Sequence, residues 1–130
     1  MEYRRLGASG LKVSPLCLGT MDFGEGASER TAGRIVAMAR AASVNFIDTA
    51  DVNAGGLSEG IVGRAVRRDR DRWVLATKSG NAMGPGPNQT GMGRKWIMEA
   101  IDGSLRRLGT DYVDIYYLDI DDGATPLEET

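Results

Sequence analysis

Asp48 stands at the end of a short apolar run, Val44 to Ile47, inside the stretch NFIDTADVNAGGLSEGIVG that extends from Asn45 to Gly63. The run is too short for a helix and is bounded by polar residues, which reads as a buried strand. Thr49-Ala50-Asp51 and a loop with Gly55 and Gly56 come next. Ser58 with Glu59 then offers an N-cap and an acidic first turn for a helix containing Ile61, Val62, Ala65 and Val66. A strand ending in a carboxylate, a glycine-bearing loop and a helix make one βα unit, and in parallel α/β proteins chemistry gathers at that end. A second acidic stretch, Asp119-Ile120-Asp121-Asp122, lacks the spaced oxygen ligands and glycine of a calcium loop. It reads as a solvated turn, and no metal is expected. No strand leads into a G-x-G-x-x-G turn and helix, so a Rossmann dinucleotide site is not expected.

The elements that must position Asp48 follow from the same reading. Tyr3 to Leu6 and Lys12 to Val13 flank a turn with Gly7, Ser9 and Gly10, predicting an opening hairpin. Pro15 to Gly19 predicts a first buried strand. Ser28 and Glu29 start a helix running to about Ala42, with Ile35, Val36, Met38, Ala39 and Ala42 at helical spacing. Arg67 to Arg72 is a charged turn, and Trp73 to Lys78 is a third strand. Ser79 to Gly93, rich in Gly and Pro, is a long loop at the functional end. Arg94 to Leu108 is a third helix with Ile97, Ile101, Leu105 and Leu108 on one face and Gly109 as its stop. Tyr112 to Leu118 is a fourth strand. Thr125-Pro126-Leu127-Glu128 has an N-cap, a proline at the first helical position and a capping-box glutamate, so another helix should begin there. Trp73 and Trp96 are expected to pack between helix and sheet.

The 130 residues are expected to form a single domain, and 42% hydrophobic content is enough for an ordinary core. A net charge of −2 gives no basic footprint for nucleic acid or anionic lipid. No apolar run approaches the ~20 residues of a membrane span, and MEYRRLG lacks the apolar centre of a signal peptide. The single cysteine, Cys17, lies in the apolar run Val13 to Leu18 and is expected to be a buried small hydrophobe. A cytoplasmic, reducing setting is expected.

The ordered motifs resemble the aldo-keto reductase family. Asp48-Thr49-Ala50, Ser58-Glu59 and Val62-Gly63 look like its first signature. Arg5-Leu6-Gly7, Ser9 to Ser14 and Leu18-Gly19-Thr20-Met21 are similar to its amino-terminal hairpin and first strand. Ala76-Thr77-Lys78 is similar to its third strand, and Ser104 to Asp114 to its third helix and fourth strand. The resemblance implies the first half of a (β/α)8 barrel: four parallel strands, three helices and an amino-terminal hairpin. Four parallel strands cannot close a barrel, and their open edges and inner face predict association. A homodimer or a partner chain supplying the other half is expected, with an open sandwich or a gene remnant as alternatives.

The family reduces carbonyls with a tyrosine acid, a lysine, an aspartate and a histidine. Here Asp48 matches the aspartate and Lys78 the lysine, whereas Asn53 stands at the tyrosine position and Asp119 at the histidine position. Asn53 can donate an amide hydrogen bond but has no ionisable proton. Asp119, if ionised, would repel a developing oxyanion. By strand alternation Tyr117 shares a face with Asp119 and could replace the missing phenolic acid. The resemblance brings Asp48, Lys78 and Asp119 together, a set suited to proton transfer. An ion-paired structural cluster is the plain alternative. The expectation is therefore a non-redox acid/base enzyme (isomerase, lyase or cyclase) acting on a small molecule, with no cofactor for the isolated chain. The alternatives are an NADPH-dependent carbonyl reductase half, with Gly19, Thr20 and Met21 beside the nicotinamide, and a non-catalytic subunit.

Overall fold

The computed structural model describes residues Met1–Thr130. An antiparallel hairpin of β1 (Arg4–Arg5) and β2 (Lys12–Val13) opens the chain. Four parallel strands follow in the sheet order β3 (Cys17–Gly19), β4 (Phe46–Asp48), β5 (Val74–Ser79) and β6 (Ile115–Leu118). Helices α1 (Glu29–Ala41), α2 (Leu57–Val66) and α3 (Arg94–Leu108) connect them. This is the α/β half of a (β/α)8 barrel, with its amino-terminal hairpin. β3, β4 and β6 are shorter than the stretches that announce them, although pairing continues past their ends as single bonds. Asp114 N donates to Leu75 O at 2.9 Å and Thr49 N to Ala76 O at 3.0 Å.

The sheet has two unlike faces. Ile47 and Leu75 point to the helices and meet Val36, Val62, Val66, Trp73 and Leu108 in one apolar core. Trp73 is buried there, in the helix–sheet position expected of it. The opposite face carries Phe46, Asp48, Lys78 and Tyr117, and no layer of this chain covers it. Cys17 belongs to that face and is exposed, contrary to the expectation of burial. Alternation in so short a strand turned it away from the helices.

Local sequence explains the helix ends. Ser28 caps α1 by accepting from Thr31 N at 3.3 Å. The α1 C-terminus closes as a Schellman turn, with Ser43 N on Arg40 O at 3.1 Å and Val44 N on Ala39 O at 2.9 Å, and Ser43 has φ +63°. Gly109, φ +64°, closes α3. The expected cap of α2 is not Ser58: the helix begins at Leu57, after left-handed turns at Ala54, Gly55 and Gly56. Those turns rotate the Ser58 side chain inward. At Gly63 the α2 backbone lies so close to α3 that an added Cβ would stand 2.0 Å from the Leu108 carbonyl oxygen.

The helix expected at Thr125–Glu128 is only a turn, with Glu129 N at 3.0 Å from Pro126 O. Thr125 Oγ1 donates to Asp122 instead of capping. Asp122 also accepts from the Thr125, Met92 and Ala124 backbone N–H groups, which hold its carboxyl far below the usual carboxylate range. Through Met92, Asp122 fixes the end of the 80–93 loop. Glu129 Oε1 accepts from Arg94 N at 3.1 Å and stands in for the side-chain cap that Gly93 cannot give α3.

Candidate active site

The C-terminal ends of β4, β5 and β6 bring the expected residues to one cleft of about 620 Å³, where Asp48, Lys78, Asn53, Asp119, Thr20 and Met21 line the wall. An adjoining cleft of 490 Å³ on the uncovered face shares Gly19, Asp48, Lys78 and Asp119 and adds Tyr117 and Cys17. At the junction the Lys78 ammonium donates to Asp48 Oδ2 at 2.6 Å and to Thr49 O at 2.8 Å. An ammonium has three N–H groups, so one remains for the cleft. Lys78 and Tyr117 are register partners across β5 and β6, which sets their side chains next to each other on one face. Tyr117 is 40% exposed.

Asp119 is anchored by Asn81, whose Nδ2 donates to Asp119 Oδ2 at 2.9 Å. Sequence reading missed Asn81, since a lone Asn in a long loop carries no signal until tertiary structure gives it a partner. It also missed Asp22, which lines the larger cleft. The Cys17 thiol is pushed up to about 11, by loss of hydration first and the Asp48 charge second. It is therefore a protonated thiol beside the carboxylate rather than a nucleophile at neutral pH.

The signature residues around Asp48 hold the frame in place. Ser58 Oγ donates to Thr20 O at 2.7 Å and lies 3.2 Å from Thr49 Oγ1, joining the ends of β3 and β4 to α2. Glu59, wholly buried, accepts from Thr77 Oγ1 and from Arg107 Nε, both at 2.6 Å, joining β5 and α3. Glu59 stands in the first turn of α2, as expected, and its carboxylate also pairs with Arg107, forty-eight residues on.

The nicotinamide cofactor of the reductase alternative, not expected for the isolated chain, would find only part of a site here. Gly19, Thr20 and Met21 form one wall, with Thr20 Oγ1 held on Asp48 O at 2.9 Å and Met21 exposed. The larger cleft holds the carboxylates of Asp22, Asp48 and Asp119 against a single ammonium already engaged. It offers no free cation to a phosphate.

Comparisons with known proteins agree with this geometry. The aldo/keto reductase family profile matches residues 15–130. The chain is 44% identical over 134 residues to a probable voltage-gated potassium channel subunit beta of Arabidopsis thaliana, covering all of this chain and 40% of that protein. It is 39% identical over 140 residues to the uncharacterized oxidoreductase YrpG of Bacillus subtilis, covering 99% of this chain and 43% of YrpG. The structure of aldo-keto reductase AKR11C1 from Bacillus halodurans, in its holo form, superimposes with a TM-score of 0.89 at 39% identity, over 99% of this chain and 43% of that one. The chain thus spans less than half the length of the relatives it matches. With a profile match over nearly its whole length and the Asp48–Lys78 pair at the strand ends, the chain belongs to the aldo/keto reductase family.

Proposed function

We propose that this chain is the amino-terminal, substrate-side part of an NADPH-dependent carbonyl reductase in which Tyr117 supplies the acid. The observation that carries the reading is the Lys78 ammonium, fixed on Asp48 at 2.6 Å and paired in register with Tyr117. The oxidoreductase and holo-reductase relatives add support and set this reading ahead of isomerase, lyase or cyclase chemistry.

When bound, NADPH supplies a hydride to the carbonyl carbon, leaving an alcohol and the oxidised cofactor. Tyr117 gives its phenolic proton to the carbonyl oxygen, and the third Lys78 N–H stabilises the phenolate that remains. Asp48 keeps Lys78 oriented. The Asn53 amide donates to the oxygen as negative charge develops there. Asp22 and Asp119 make the cleft acidic, so neutral or cationic carbonyl compounds are its substrates. The open edges of β3 and β6 and the uncovered inner face call for added strands, from a second copy in a homodimer or from another chain. Light scattering over a range of concentrations tests that association.

The test of function is NADPH oxidation in the presence of neutral and cationic aldehydes. Tyr117→Phe is expected to lower kcat by about 100-fold, the usual worth of a positioned acid. Aldehyde turnover without NADPH oxidation would move the site to proton transfer by Asp48 and Asp119. A chain that neither binds NADPH nor turns over a carbonyl would be a structural subunit.

A further inference from the structure

On the helix side of the sheet, away from both clefts, a cavity of 190 Å³ lies between the loop after β4, the 80–93 loop and α3. It has room for about six water-sized groups. Two buried polar groups open into it without a partner: both oxygens of Asp51, a residue 1% exposed, and the indole Nε1 of Trp96, 6% exposed. Buried polar atoms are nearly always hydrogen-bonded, and an unpaired buried carboxylate is the most costly exception.

The charge inventory shows what is missing. The half-buried cation lining the cavity, Arg107, is turned to Glu59, and both Glu59 oxygens are occupied, by Arg107 and Thr77. The remaining Arg107 bond goes to Ser104 Oγ at 3.3 Å. Arg107 is close enough to act on Asp51 through its charge but gives it no hydrogen bond, so the Asp51 oxygens face the cavity without a donor. Glu99 and Arg106, both exposed, stand at its rim, while Met83, Ala100 and the Trp96 ring supply an apolar wall. No cluster of three acidic or sulfur ligands exists to hold a metal ion. What the cavity lacks is one N–H-bearing positive charge at Asp51 and one acceptor at Trp96 Nε1.

We propose that this cavity binds a small amino alcohol or related organic ammonium, whose –NH3⁺ donates to Asp51 and whose oxygen accepts from the Trp96 indole N–H. The short apolar body of such a molecule lies against Met83 and Ala100, and its cation lies beside an aromatic ring, a favourable neighbour. Ala100 and Gly103 leave the space open by presenting little or no side chain on that face of α3. The site is independent of the carbonyl-reducing reading, because none of its side chains lines the Asp48–Lys78 clefts.

The probe is ethanolamine, with ethylammonium and ethylene glycol as partial mimics, titrated into the full chain. The Trp96 indole N–H resonance and the thermal midpoint are the readouts. Ethanolamine is expected to move both, ethylammonium to bind more weakly, and ethylene glycol to do nothing at equal concentration. Asp51→Asn keeps the shape and removes the charge, and should weaken ethanolamine binding by roughly tenfold or more, as loss of a charged hydrogen bond does. Trp96→Phe should abolish the preference for ethanolamine over ethylammonium. No response to either amine, an equal response to ethylene glycol, or undiminished binding by Asp51→Asn would each overturn the proposal and leave the cavity a hydrated void.

Discussion

Asp51→Asn is the substitution whose effect the structure fixes most closely. Burial, and then the Glu59 charge, push the Asp51 carboxyl up from its ordinary 3.8 to about 6, against the smaller opposing pull of Arg107 and of the adjacent Val52 N–H, which lies near Asp51 without making a well-formed hydrogen bond to it. Asp119 adds to the rise from the β6 side. A raised carboxyl favours the protonated folded state, so its contribution to stability is complete below about pH 4 and is lost as pH climbs to about 6. At about 1.4 kcal/mol per pH unit, the ionised folded protein at pH 7 is less stable by about 3 kcal/mol. The asparagine variant carries no charge to bury and should be about 2 to 3 kcal/mol more stable than the parent at pH 7, with the gap closing near pH 4. Urea unfolding of both proteins from pH 4 to 8, in amine-free buffer so that the cavity stays without a cation, measures the difference directly. A gap that stays constant across that range, or an asparagine variant less stable throughout, would refute the reasoning.

Three further outcomes follow from packing and capping. Gly63→Ala drives a methyl to 2.0 Å from the Leu108 carbonyl, and the helix pair must part; a loss of about 3 kcal/mol in denaturant unfolding is expected. Ser43→Gly keeps the Schellman turn at φ +63° and removes its Cβ penalty, which should raise stability by about 1 kcal/mol, read as a higher thermal midpoint. Arg107→Ala leaves the wholly buried Glu59 carboxylate without its cation. A loss of about 3 kcal/mol is expected in chemical unfolding at pH 7.

Sequence disclosed the parts of this fold that local chemistry decides. The 3.6-residue spacing and Gly109 give α3 its limits, Arg94 and Leu108, and Ser28 caps α1 because a serine before an acidic turn has a local partner. Ser58 looks the same on paper, yet Ala54 to Gly56 take left-handed backbone angles and let the helix begin two residues earlier, at Leu57. Its hydroxyl goes instead to Thr20 O, a partner thirty-eight residues away. Cys17 was misplaced because an apolar run does not say which side of the sheet is covered. The cluster of Asp48, Lys78, Asn53 and Asp119 was legible only through a resemblance, since their convergence depends on strand order. Asp51 sat in plain view in the signature stretch; its burial, and the cavity behind it, come from α3 and the 80–93 loop and leave no trace in local sequence.

Asp122 sets the order in which the mouth of the cleft can be built. A chain made from its amino terminus pairs β3 with β4 and β4 with β5 early, since those strands all lie before Gly80. The 80–93 loop, which starts beside the cleft with Asn81 on Asp119, gains its anchor at Met92 only after thirty more residues have appeared, and α3 gains the Glu129 acceptor later still. Those spans are about as long as the ones that pair the strands, so it is the position of their second halves late in the chain that sets the order. During synthesis the scaffold is therefore set while the mouth is still unpinned, and hydrogen-exchange labelling of refolding chains should find the Met92 and Arg94 amides among the last to be protected.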